Sequence, residues 1–164
     1  MTGAVIDHPT SDQVWAALSR VTDPEIQISL LDLGVLHALE PAGQGLRIVL
    51  FPTRLGCPGR LEMSRRLLAV AEAVAPGQPI ELDWRAGVWT PALITTDGRR
   101  QLAEVGYAVP DAYGRIGCPY CGSTRVRRVA AFGASVCARP FHCPACGSAF
   151  DQLAGAGCPK ASAR

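Results

Sequence analysis

Hydrophobic and polar positions change period several times along this chain, and each change predicts an element. Thr10 and Gln13 stand at capping-box spacing, and Val14, Trp15, Leu18 and Val21 then share one face of a helix predicted to run to about Val21. Thr22-Asp23-Pro24-Glu25-Ile26 follows as a turn fixed by Pro24. Leu31-Asp32-Leu33-Gly34-Val35-Leu36 leads into a first strand, and Leu46 to Phe51 forms a second. The turn-rich Pro41-Ala42-Gly43-Gln44-Gly45 joins them as a hairpin. Cys57-Pro58 opens a second helix to about Val74, with Leu61, Leu67, Leu68, Ala71 and Val74 as its expected buried stripe. Ile80, Leu82 and Trp84 alternate with Glu81, Asp83 and Arg85, as in a half-buried strand. Asp97 to Val105 reads as a short helix capped by Thr95 or Thr96 and stopped at Gly106.

This order, helix–strand–strand–helix–strand, predicts an α+β fold, a small α/β sandwich, followed by a metal-binding, zinc-ribbon-like β module. The expected divisions are an arm over 1–9, an α+β domain over 10–106, a linker over 107–117, a four-cysteine module over 118–158 and a tail over 159–164.

The module rests on Cys118-Pro119-Tyr120-Cys121-Gly122 and Cys143-Pro144-Ala145-Cys146-Gly147. Two Cys-x-x-Cys pairs, each followed by a glycine that lets the backbone turn under a metal, suit two knuckles closing on one tetrahedral ion, with zinc the expected metal. A disulfide framework is the alternative, but nothing in the chain points to secretion. Cys137 and Cys158 are additional thiols. His142 precedes Cys143, yet four cysteines already fill a zinc site.

Cys57 is the second thiol of interest. A helix starting at Pro58 puts it at the cap, where unpaired N–H groups and the positive end of the helix dipole favour a thiolate, with Arg54 adding positive field. The alternative reading is a small buried core residue. Asp23, Glu25 and Asp32 fall in loops near the same end of the sandwich; for Asp23 and Glu25, turn and capping roles are the alternative. His37, inside a predicted strand, reads as packing. No Gly-rich phosphate loop, Ser/His/Asp set or nucleophile elbow appears, which weighs against a hydrolase or nucleotide enzyme.

Charge sharpens the division of the chain. Residues 1–114 carry 9 basic and 13 acidic side chains, whereas 115–164 carry 7 basic and 1 acidic. The basic second part fits either an acidic protein face or nucleic acid, and Arg125, Arg127 and Arg128 equally suit a solvated strand edge. No apolar run is long enough to span a bilayer, and the first 20 residues lack a basic start followed by an apolar core. A cytoplasmic, reducing location without membrane contact is expected.

Three runs carry a resemblance: Val21-Thr22-Asp23-Pro24-Glu25-Ile26, Leu31-Asp32-Leu33-Gly34-Val35 and Pro52-Thr53-Arg54-Leu55-Gly56-Cys57-Pro58. They resemble the MIP-type iron–sulfur assembly domain. With Trp89-Thr90-Pro91, Thr96-Asp97-Gly98-Arg99-Arg100, Leu102, the two Cys-x-x-Cys pairs, Phe132-Gly133, Cys137 and Phe150-Asp151, the chain resembles the PaaD-like phenylacetate-degradation proteins over residues 11 to 158. That resemblance implies a non-enzymatic accessory factor that assembles or maintains iron–sulfur clusters in a multicomponent oxygenase, with the reductase component of phenylacetyl-CoA epoxidase as client. It makes Cys57 the functional thiol for cluster or metal transfer, and Asp23 and Glu25 part of an acidic signature. The expected cofactors are a structural zinc at Cys118, Cys121, Cys143 and Cys146, and a transient iron or iron–sulfur cluster as cargo.

Three rivals stay open. The C-terminal cysteines themselves carry iron or a cluster; the ribbon is a nucleic-acid- or protein-binding module, although few aromatics are available for base stacking; or Cys57 is an enzyme's nucleophile, for which no histidine is placed as base. Homodimerisation is also left open.

Overall fold

The computed structural model describes residues 10–54, 56–130, 133 and 138–153. The expected arm (1–9), the tail (159–164), Cys137 and Cys158 lie outside the described residues.

Helix α1 spans Ser11–Leu18 and opens with the capping box read from the sequence. The Gln13 N–H donates to Thr10 Oγ1, and the Thr10 N–H donates to Gln13 Oε1. The helix ends three residues sooner than expected, but Val21 is still buried beside Val14 and Leu18. Strand β1 (Leu36–Ala42) pairs antiparallel with β2 (Gly45–Leu50). Pairing continues through Pro41↔Leu46 and Ala42↔Gly45, so the five-residue joint narrows to a turn at Gly43 and Gln44. Pro41 is tolerated because β1 is an edge strand, where no ladder donor is needed on the outer side. A register shift between Leu36 and Ala38 makes His37 a bulge residue, exposed and stacked on the Phe51 ring at 4.1 Å.

Helix α2 (Arg60–Val74) then crosses to β3 (Ile80–Trp84), which pairs parallel to β2, so that the first sheet runs β1-β2-β3. A parallel neighbour requires such a crossover. Leu46, Ile48, Val49 and Leu50 of the central strand are all buried.

Two expectations about α2 are corrected. The helix starts at Arg60, because Pro58 and Gly59, both poor helix formers, make a tight turn instead, with the Arg60 N–H donating to Cys57 O. Its buried stripe is Met63, Leu67 and Ala71, at spacings of four. Leu61 is 81% exposed and Leu68 40%. At 100° per residue those two point well away from the Met63–Leu67–Ala71 face.

A single 3₁₀ turn (Pro91–Leu93) precedes helix α3 (Thr96–Glu104), whose cap is Thr95: the Gly98 N–H donates to Thr95 Oγ1. Strand β4 (Tyr107–Ala108) follows directly and joins a second sheet with β5 (Arg127–Arg128), β6 (Ala138–His142) and β7 (Ala149–Leu153), in the order β4-β7-β6-β5. Residues 107–108 therefore pair with β7, and Leu153 of β7 packs into the main core. Among the described residues the ribbon's own buried cluster is small: Ala108, Cys118, Phe141, Cys143 and Phe150. So few apolar side chains ask for another source of stability. The architecture is α+β, as expected.

Candidate functional site

The two cysteine pairs form matched knuckles. The Gly122 N–H donates to Cys118 O and the Gly147 N–H to Cys143 O; the Cys118 N–H donates to Ser123 O and the Cys143 N–H to Ser148 O. Gly122 (φ 73°) and Gly147 (φ 77°) take the left-handed conformation that closes each turn without a Cβ clash. Strand β6 leads into the second knuckle and β7 leads out of it, bringing Cys143 and Cys146 against Cys118 and Cys121. All four Sγ atoms lie within 4.8 Å of one another, and the pairs Cys118–Cys146 and Cys121–Cys143 are 3.7 Å apart. A metal–sulfur bond of about 2.3 Å implies a tetrahedral edge of about 3.8 Å, so the donor set fits such an ion. Among the described residues, the grouped ligands are Cys118, Cys121, Cys143 and Cys146, without His142.

Charge explains why this cluster suits a cation. Hydrogen bonds from the Ser148 side chain and backbone hold Cys146 down at about 6. The Ser123 backbone N–H favours a thiolate at Cys121, yet crowding by Cys146, Cys143 and Cys118 together with burial pushes that thiol up to about 12. Four sulfurs this close do not all carry negative charge unless a positive ion sits among them.

Cys57 sits elsewhere. It is half-buried at the edge of the main core, after the left-handed Gly56. It is not the helix cap: Gly59 occupies that position and supplies no side-chain cap. The thiol nevertheless lies beside the start of α2. A Cβ placed on Gly59 would meet the Pro24 ring at 3.3 Å, Cys57 Sγ at 3.8 Å and the Met63 methyl at 3.8 Å. The Asp23-Pro24-Glu25 turn and the Cys57 loop, more than 30 residues apart in sequence, thus share one neighbourhood around Gly59.

Asp23 shapes that turn. Its Oδ1 accepts from the N–H groups of Glu25 and Ile26, and its own N–H donates to Ile28 O. Its carboxylate is used by the backbone, as the turn reading requires. Gln27 closes the loop at φ 62° and donates its side-chain amide to Pro24 O. Glu25 is exposed.

Asp32 has a role that spacing alone does not reveal. Its Oδ1 accepts from Thr95 Oγ1 at 2.7 Å, and its Oδ2 accepts from Ser29 Oγ at 2.9 Å and Gln101 Nε2 at 3.2 Å. Burial alone would raise its pKa, but these three bonds outweigh burial and hold the carboxyl below its usual range. The Asp32 carbonyl accepts from the Thr95 N–H and packs so tightly on Gly98 that any Cβ there would collide with it. Close by in sequence, the Leu33 carbonyl accepts from the buried Trp89 indole at 2.8 Å. The runs Leu31-Asp32-Leu33-Gly34, Trp89-Thr90-Pro91 and Thr96-Asp97-Gly98-Arg99-Arg100 are therefore one clamp. Its only local signs are a capping threonine and an aspartate, 63 residues apart.

Residues 11–79 match the family model described as iron–sulfur cluster assembly protein, and residues 108–154 match the PaaD zinc beta ribbon domain. The chain is thus similar to an iron–sulfur cluster assembly protein over one stretch and to a zinc beta ribbon over another. More particularly, the ribbon match and the motifs of both parts make the chain similar to PaaD-type proteins. It is 29% identical, over 92% of its length and 96% of the relative's, to a provisionally named 1,2-phenylacetyl-CoA epoxidase component of Escherichia coli (strain K12). Among solved structures, a domain of unknown function, DUF59, from Bacillus anthracis matches 56% of this chain and 89% of its own, with a TM-score of 0.50 at 20% identity. That likeness shows the fold of the first module. A conserved hypothetical protein from Thermotoga maritima aligns over 57% of this chain and 93% of its own, with a TM-score of 0.49 at 19% identity. Among the described residues no helix is long and apolar enough to cross a membrane.

Proposed function

We propose that this chain is an accessory factor that assembles or maintains iron–sulfur clusters in a multicomponent oxygenase, with the reductase component of a phenylacetyl-CoA epoxidase as its client. The observation that carries the reading is the presence, in one chain, of an assembly-type module with its loop thiol and a PaaD-type ribbon. The two cysteine sites suit different work. Transfer of iron or a cluster requires a thiolate that releases its cargo, and Cys57 is half-buried in a loop, outside the four-cysteine group. Four cysteines around one ion make a closed site that exchanges poorly.

Cys118, Cys121, Cys143 and Cys146 hold a structural zinc in this reading, and the ion supplies the stability that the small ribbon core lacks. The basic ribbon edge at Arg125, Arg127 and Arg128 then faces an acidic client. The chain acts in the cytoplasm and is not itself the catalyst. Asp23 builds the turn whose Pro24 lies beside Gly59 along with the thiol, which gives the acidic signature a positioning role.

Cluster content of the co-expressed reductase, read from its visible absorbance and iron-to-protein ratio, tests the transfer role. Cys57→Ala lowers it to the level seen without this protein. Full cluster loading with Cys57→Ala would overturn the transfer role. A red or brown anaerobic preparation of this chain alone would shift the cargo to the ribbon cysteines.

A further inference from the structure

The seam between α1 and α2 carries a feature that cluster transfer does not use. A shallow groove of about 360 Å³ opens there, lined by the apolar Ala17, Ala69 and Val70 and by Arg20, Thr22 and Arg66. Small side chains on the facing helices, Ala17 and Ala69, leave the floor open and apolar.

The polar groups at the rim have donors to spare. Among the described residues, Arg20 makes no ion pair and Thr22 no side-chain hydrogen bond, while Arg66 commits only its Nε, to Glu62 Oε1 at 2.7 Å. Glu62 is shared with Arg65, so one carboxylate answers two guanidinium groups on α2 before Arg20 is counted. The groove is therefore net positive. Two planar guanidinium forks above an apolar floor match a carboxylate flanked by apolar groups, since each fork pairs with a carboxylate bidentately.

We propose that this groove docks an acidic peptide segment of a partner protein, in which glutamate or aspartate alternates with apolar residues. Apolar side chains lie on Ala17, Ala69 and Val70, and carboxylates reach Arg20 and Arg66. The open seam between two helices accommodates an extended chain. Thr22 adjoins the Asp23–Pro24 turn, which packs beside Cys57 around Gly59, so a segment held here is anchored next to the loop that carries the thiol. Docking and cluster transfer are separable: loss of docking leaves the chemistry of Cys57 intact, and loss of transfer leaves the groove intact.

Fluorescence anisotropy with the full chain decides it, using a fluorescein-labelled peptide of alternating glutamate and leucine and its glutamine–leucine counterpart. The glutamate peptide binds, the glutamine peptide binds about tenfold more weakly or worse, and added salt weakens the glutamate complex. The double variant Arg20→Gln/Arg66→Gln loses about tenfold in affinity, and Ala69→Glu, which sets a carboxylate on the groove floor, loses at least as much. Both variants keep the wild-type tryptophan unfolding transition. No binding below about 1 mM, equal binding of the two peptides, or binding that Ala69→Glu leaves unchanged would each overturn the proposal. So would displacement by inorganic phosphate at concentrations matching the peptide's, which would make the groove a general anion site.

Discussion

Asp32→Asn tests the clamp most directly, because the replacement keeps the shape of the side chain and changes only its donors and charge. The remaining oxygen still accepts from Thr95 Oγ1. The new amide, in the place of Oδ2, faces Gln101 Nε2, which is itself a donor. Ser29 Oγ already accepts the Asp32 N–H, and it must rotate to accept the amide as well. One hydrogen bond becomes a donor–donor contact and another weakens from charge-assisted to neutral. At about 0.5–1.5 kcal/mol for a neutral bond and more for one to a charged group, and with Asp32 partly in solvent, the loss is about 1.5 kcal/mol. For a module of about 100 residues that corresponds to roughly 5–10 °C in melting temperature.

The pH dependence separates the charge from the shape. The carboxyl sits below its usual range in the folded protein. Its stabilisation is therefore complete above the unfolded value, near about 3.9, and drains away as pH falls through the folded value. Asparagine has no such proton equilibrium, so the gap between the two proteins closes below about pH 4. Urea unfolding followed by tryptophan fluorescence reads this module alone, since Trp15, Trp84 and Trp89 all lie in it and Trp89 is fully buried against the clamp. Equal stability at pH 7, or a gap of the same size at pH 3, would refute the assignment of Asp32 as a charge-bearing clamp.

Chelation of the full chain, or Cys143→Ser, releases about one equivalent of metal and collapses the ribbon's circular dichroism, while the tryptophan transition of the first module shifts little; a metal-free chain with intact ribbon signals would contradict the structural role. Met63→Ala costs about 2–4 kcal/mol because it empties a buried position of α2. Leu61→Ala costs less than about 0.5 kcal/mol at its exposed site. Urea midpoints of the two variants side by side check the corrected helix face.

The legible parts of this fold are those set by neighbours in sequence. The Thr10–Gln13 box, the alternation from Ile80 to Trp84 and the two Cys-x-x-Cys-Gly knuckles each state their geometry within a few residues. The start of α2 is harder to read because Pro58 suits a first helical position in isolation, whereas the following Gly59 lets the chain turn before the helix begins. The α2 stripe misleads because Leu61 and Leu68 are more apolar than Ala71, so hydrophobicity competes with the period of four that Met63, Leu67 and Ala71 keep. Contacts over long separations leave no periodic trace. The Asp32–Thr95–Gln101 network and the approach of Pro24 to Gly59 depend on where the sheet places the loops.

That placement gives the signature motifs a common logic. The clamp from Asp32 to α3 and from Leu33 to Trp89 fixes the loop between Ser29 and Gly34, and the bond from the Leu30 N–H to Val21 O ties that loop back to the end of α1. Val21 leads straight into the Asp23 turn, whose inner hydrogen bonds to Glu25 and Ile26 set the position of Pro24. Pro24 in turn walls the neighbourhood of Cys57. A thiol that exchanges cargo gains little from a rigid loop of its own, because release requires local freedom. It gains more from fixed walls that hold a partner and a cargo in one orientation while the loop around it yields. On the proposed transfer role of Cys57, Asp32 acts as a positioning residue through Val21 and Pro24, and its removal is expected to disturb transfer even where the module stays folded.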